Sequence, residues 1–211
     1  GTGSNDTEYA VKLSNEAEKD GVDALLMVTP YYNKTSQLGL IKHYEYINDR
    51  VSTPIILYNV PGRTGVNIKP QTYFELSKMS NVVATKEANG DISSMLETLA
   101  LCGDNLDLYT GNDDRTVAAM KLGARGVISV ASNVLPERMC ELCRLCDEGN
   151  DRRAAQKMQE LRPILRELSA EVNPIPVKYA AFLCGFCLPE YRLPLTPPAP
   201  DLCRRLEKLF P

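Results

Sequence analysis

Short apolar runs begin near residues 24, 54, 82, 106 and 126, and each is followed by a stretch with helical spacing. Repeated strand–helix alternation admits few folds. It calls for a parallel sheet whose right-handed crossovers are the helices. The spacing predicts strands over 24–29, 54–60, 106–111 and 126–131, and helices over 6–19, 38–48, 70–78, 92–101 and 113–122. In the first helix Ala10, Leu13 and Ala17 share a face, and Asp20-Gly21 ends it. Pro70 suits the first turn of its helix.

Five such units fit either a doubly wound sheet or most of a (β/α)8 barrel. Two features favour the barrel. No phosphate-binding glycine fingerprint opens any of the helices. Polar and aromatic residues collect at the carboxyl ends of the strands, where a barrel builds its site: Tyr31 and Tyr32, Tyr58 and Arg63, Lys86 and Glu87, Gly111 and Asn112, Ser129 and Ser132. After Gly149 the alternation stops. Helices are expected over 152–170, 174–184 and 200–209, with a proline-rich linker at 192–198. The expected division is a partial barrel over 1–149 and a helical domain over 150–211.

A chain of 211 residues with 44% hydrophobic residues is long enough for a sizeable core. The net charge of -3 and the absence of a basic patch argue against nucleic acid, and no apolar run is long enough to span a membrane. The opening Gly1-Thr2-Gly3-Ser4-Asn5 reads as a strand end and turn, not as a signal peptide. The seven cysteines, an odd number in helix-like segments, read as reduced thiols of a cytoplasmic protein.

The run Val82-Val83-Ala84-Thr85-Lys86 has the pattern of a strand buried on both faces, with a lysine inside it. Desolvating an ammonium is costly, and it frees the neutral amine as a nucleophile for a carbonyl. The alternatives are a lysine that snorkels out at the strand end or one paired with Glu87. Tyr58, at the carboxyl end of the preceding strand, places a phenol within reach of the same small ligand, where it can shuttle protons. Arg63 follows in the adjoining loop, where its fork can take a carboxylate. Alone, each reads as a core tyrosine and a surface arginine. Together with the lysine they point to Schiff-base chemistry on an oxo-acid.

Tyr58-Asn59-Val60-Pro61-Gly62-Arg63-Thr64-Gly65, Lys86-Glu87-Ala88-Asn89-Gly90 and Val28-Thr29-Pro30-Tyr31-Tyr32-Asn33 resemble the signatures of the dihydrodipicolinate synthase family. Gly126-Val127-Ile128-Ser129-Val130, Asn173-Pro174-Ile175-Pro176-Val177-Lys178 and Arg192-Leu193-Pro194-Leu195-Thr196-Pro197 match as well, so the resemblance runs along the whole chain. It implies a class I aldolase-type lyase that condenses pyruvate with L-aspartate 4-semialdehyde in lysine and diaminopimelate biosynthesis. Lys86 would carry the pyruvate imine, with no other cofactor. Tyr58 would relay protons, and Arg63 would hold the semialdehyde carboxylate. Tyr32 would match the tyrosine that reaches into a neighbouring subunit's site, in a homodimer or homotetramer. Gly111 and Ile128 would line the pyruvate pocket through their backbone. Asn5 and Tyr31 match two positions of the family's lysine-inhibition site, whereas Tyr9 stands where an acid is common.

A full (β/α)8 barrel takes ~250 residues. The family's barrel starts about three strands earlier, and its Gly-Thr-Thr-Gly-Glu loop, whose threonine joins the tyrosine relay, has no counterpart in this sequence. The expectation is therefore an N-terminally truncated form. Sister enzymes with the same tyrosine and lysine, N-acetylneuraminate lyase and the keto-deoxy-sugar aldolases, are the rival reading, and Arg63 in its Arg-Thr-Gly setting favours the synthase. A second rival is an inactive remnant acting as an oligomer partner. A third is a metal or redox protein, from Cys140-x-x-Cys143-x-x-Cys146 and Cys184-Gly-Phe-Cys187. Spacing by three puts such cysteines along one side of a helix, where they serve as small apolar residues, so no metal site is expected. His43, the single histidine, is expected at a surface or boundary, and Asp113-Asp114 is expected to cap the helix that it starts.

Overall fold

A computed structural model describes residues 1–210. The chain divides into two compact units, residues 1–112 with 118–128, and residues 113–117 with 129 onward. The first unit is built on a parallel sheet of five strands: β1 (Leu25–Val28), β2 (Ile55–Asn59), β3 (Val82–Glu87), β4 (Asp107–Thr110) and β5 (Gly126–Val127). The spatial order is β1-β2-β3-β4-β5. A doubly wound sheet reverses direction at a switch point, so this unbroken progression excludes it and matches successive units of a (β/α)8 barrel. Residues ahead of the first helix run beside β1, with Thr2 N–H donating to the Leu26 carbonyl at 3.0 Å.

Period-two alternation decides which side of the sheet is the core. Leu25, Met27, Ile55 and Leu57 are fully buried. They pack in one cluster with Ala10, Leu40, Tyr44, Ile47, Tyr73 and Leu76 from the helices α1 (Thr7–Lys19), α2 (Gln37–Asn48) and α4 (Pro70–Leu76). Each buried leucine or isoleucine contributes about 1.5–3 kcal/mol. The alternate residues Leu26, Val28, Ile56, Tyr58 and Lys86 are half-buried on the other side. Polar caps fix the helix starts. Asp6 accepts from Tyr9 N–H, Ser36 from Gly39 N–H, and Asp91 from the N–H groups of Ser93 and Ser94 at the start of α5 (Ile92–Cys102). Such caps contribute about 1 kcal/mol each.

The second unit is helical: α7 (Pro136–Asp147), α8 (Asp151–Leu168), α9 (Ile175–Leu183) and α10 (Pro200–Glu207). Leu142, Ala154, Leu161 and Leu206 are fully buried. The buried carboxylate of Glu167 accepts from Arg205 Nε at 2.7 Å and Arg166 at 3.0 Å, and the Arg205 guanidinium holds it below the usual carboxylate range. Cys140, Cys143 and Cys146 lie on α7, exposed or half-buried.

Four expectations need correction. β5 spans two residues, not 126–131, because the chain turns into a 3-10 helix at Ala131–Asn133. Asp113 does not cap the helix it precedes, α6 (Thr116–Lys121): its Oδ2 accepts from the N–H groups of Val130 and Ala131, tying down that later turn. β3 is not buried on both faces. Ile55 pairs with Val82 but Ile56 with Ala84, so Val83 is a bulge and stands 42% exposed. His43 is buried, not superficial, and its Nδ1 lies 2.9 Å from Thr7 Oγ1.

Burial pulls the His43 imidazole down from its usual 6.5 to about 4. A group whose folded pKa is depressed adds stability that is present above its unfolded value and lost as pH falls through the folded one. The chain should therefore lose roughly 2–3 kcal/mol from His43 between pH 6.5 and 4. Melting temperatures across that window, compared with those of His43→Gln, check this: the variant should show the shallower decline.

Candidate active site

Lys86 and Tyr58 are direct cross-strand partners on β3 and β2, facing away from the helix-packed core. The lysine Nζ lies 4.4 Å from the centroid of the Tyr58 ring. Burial raises the Tyr58 phenol above its usual value, and the Arg63 charge pulls it back. Arg63 therefore acts on Tyr58 electrostatically. It sits not in open loop, as the sequence led us to expect, but on a one-turn helix, α3 (Pro61–Thr64), its N–H bonded to the Val60 carbonyl at 2.9 Å. Gly65, at φ 72°, closes that turn.

Gly111 follows β4, beside Lys86. A Cβ added there would stand 2.8 Å from Ala88 Cβ and 3.1 Å from Lys86 Cε. Absence of a side chain at 111 is what leaves room for the lysine. The amides of Gly111 and Ile128 are spent on the sheet, donating to Glu87 O at 2.7 Å and Thr110 O at 2.9 Å. We expect Gly111→Ala to displace the lysine chain at a cost of about 1–3 kcal/mol. A lower melting temperature and slower chemistry at Lys86 would register it, and an unchanged rate would refute the crowding.

Glu87, the alternative partner for the lysine, faces the helix side. It is 2% exposed. Asn59 Nδ2 donates to both of its oxygens at 3.0 and 2.9 Å, Tyr73 OH to Oε2 at 2.9 Å and Asn89 N–H to Oε1 at 2.7 Å. Burial pushes this carboxyl up, and the hydrogen bonds pull against it. With every neighbour donating, the ionised form is the one the network fits. Sequence reasoning missed this network. Its only signal was an Asn and a Glu, each following a proposed site residue on adjacent strands.

Tyr32 is not drawn into this cluster. It is 91% exposed, with its backbone held at φ 70°. Left-handed geometry is uncommon for a non-glycine residue and costs of order 1–3 kcal/mol, so the surrounding loop fixes it.

Residues 1–210 match the model of the dihydrodipicolinate synthetase family. The chain belongs to this family. It is 49% identical over 195 residues to the 4-hydroxy-tetrahydrodipicolinate synthase of Clostridium novyi, a match that takes in 92% of this chain and 66% of that protein. To the synthase of Fervidobacterium nodosum it is 48% identical over 211 residues, covering 100% of this chain and 72% of the relative. The crystal structure of the dihydrodipicolinate synthase from Thermotoga maritima superposes with a TM-score of 0.97 at 45% identity, over 99% of this chain and 72% of that one. The chain thus spans about two thirds of the length of the curated relatives it matches. Its five-stranded sheet is part of the family's (β/α)8 barrel. Among the described residues no helix is long and apolar enough to cross a membrane.

Proposed function

We propose that Lys86 condenses with pyruvate as a Schiff base and that the adduct adds to L-aspartate 4-semialdehyde, giving 4-hydroxy-tetrahydrodipicolinate in lysine and diaminopimelate biosynthesis. The observation that carries this reading is the Lys86 amine 4.4 Å from the Tyr58 ring centroid. The neutral amine attacks the ketone carbon of pyruvate, and the carbinolamine loses water to form the imine. A proton leaves the methyl group to give an enamine. That carbon bonds to the aldehyde carbon of the semialdehyde, whose oxygen takes up a proton. The semialdehyde's own amine then displaces Lys86, which closes the ring and frees the lysine.

Tyr58 keeps its proton at neutral pH, as an ordinary phenol does, and burial raises it further. It is therefore able to give a proton to the departing hydroxyl and take one back. Arg63, exposed at the rim, offers its fork to the semialdehyde carboxylate. Gly111 and Ile128 present carbonyls towards the pyruvate end. The imine itself is the electron sink, so the reaction needs no separate cofactor. Tyr32 completes the relay of a neighbouring subunit in a homodimer or homotetramer, in the cytoplasm, with 1–149 as the partial barrel and 150–211 as the helical domain.

The test is incubation with pyruvate and borohydride, followed by peptide mass mapping. One reduced pyruvyl group on Lys86 is expected. An adduct on another lysine, or none, overturns the reading.

A further inference from the structure

The bulge at Val83 gives β3 two ways to lie against β2. In the observed register Ile56 pairs with Ala84, Tyr58 with Lys86 and Asn59 with Glu87. Continuing the first pairing, Ile55 with Val82, without the bulge would set Tyr58 opposite Thr85 and Asn59 opposite Lys86. A slip of one residue turns every side chain to the other face. Lys86 would then point into the helix-packed core. The backbone ladder does not choose between these registers, since both form parallel hydrogen bonds.

We infer that the buried Asn59–Glu87 side-chain pair is the register lock that holds Lys86 beside Tyr58, with Glu87 as a positioning residue. The pair sits one residue past Tyr58 and Lys86, on the opposite face. Both carboxylate oxygens are engaged by the same Asn59 amide. Asn59 is itself fixed, donating to Asn67 Oδ1 at 2.7 Å and accepting from Ile68 N–H at 3.1 Å. The other side of the carboxylate is held by Tyr73 OH, which accepts in turn from Thr85 Oγ1 at 3.1 Å. In the slipped register Glu87 would leave these donors, stranding several buried polar groups. The lock thus lies behind the site, on the buried face of the sheet.

The inference rests on the proposed chemistry for its consequence but not for its test. Glu87→Gln keeps one acceptor oxygen but turns the other into an NH2 donor, so one of the two bonds from Asn59 Nδ2 becomes a donor–donor contact. In the chain without pyruvate, the nuclear Overhauser contact between the Lys86 side chain and the Tyr58 ring should be present, and in Glu87→Gln it should be lost. The double variant Asn59→Asp/Glu87→Gln reverses donor and acceptor and should restore it. With pyruvate, the maximal rate of adduct formation should fall about 10- to 100-fold in Glu87→Gln, while the half-saturating pyruvate concentration stays within about threefold. A residue that merely stabilises the fold would lower the melting temperature and leave both readouts intact well below it. Should Glu87→Gln fail to fold, Tyr73→Phe removes a single hydroxyl from the carboxylate and should weaken the same contact. A folded Glu87→Gln or Tyr73→Phe with an undiminished contact overturns the lock. A chain that keeps the contact and takes up no pyruvate counts against the proposed chemistry alone.

Discussion

Lys86→Ala is expected to carry no pyruvate-derived mass after borohydride reduction, under conditions that label the unsubstituted chain fully. The effect should be complete because the amine is itself the reactant. Among the described residues no other lysine lies on a strand of the sheet, and Lys86 stands opposite Tyr58 and Tyr109 in the parallel register. The substitution removes a half-buried side chain from the face away from the helix-packed core. The melting temperature should therefore change little while the adduct disappears. Residual labelling at another residue would show that the nucleophile has been misassigned.

Arg63→Ala should separate the two substrates. The side chain is exposed, on the one-turn helix beyond β2, and pyruvate is proposed to react deeper, at Lys86. Adduct formation with pyruvate should persist. Condensation with aspartate 4-semialdehyde should fall about 10- to 100-fold, the scale of a lost hydrogen bond to a charged group at a wet rim. A second effect has a definite sign. Arg63 lowers the Tyr58 phenol, so its removal should raise that group further and move the alkaline limb of the condensation profile upward. Equal loss of adduct and condensation would refute the division of labour.

Most of the sheet was legible in the sequence because its strands are short apolar runs bounded by turns. Ile55–Asn59 and Ile92–Cys102 fall within a residue or so of where spacing puts them. Pattern fails where a distant partner decides. The carboxylate of Asp113 belongs to the amides of Val130 and Ala131, which no local rule foresees. The Val83 bulge is invisible in a run that looks continuously apolar, because the choice of register is made by Asn59 and Glu87. His43 looked superficial between Lys42 and Tyr44, yet its partner Thr7 lies on another helix. The adjacency of Lys86 and Tyr58 was legible because a charged or phenolic residue at a strand end stands out against apolar neighbours. Gly111 gained its physical reason only from the lysine chain lying against it.

The unbroken strand order has a consequence for how such a chain is made. Each of β2 to β5 pairs with the strand synthesised just before it, so each of these βα units leaves the ribosome with its docking edge already formed. Among these five strands no earlier pair must open to admit a later one. The amine on β3 meets its phenol on β2 as soon as the third strand emerges, before the fourth and fifth exist. Pausing the ribosome once β3 has cleared the exit tunnel would therefore leave a nascent chain in which Tyr58 and Lys86 are already neighbours.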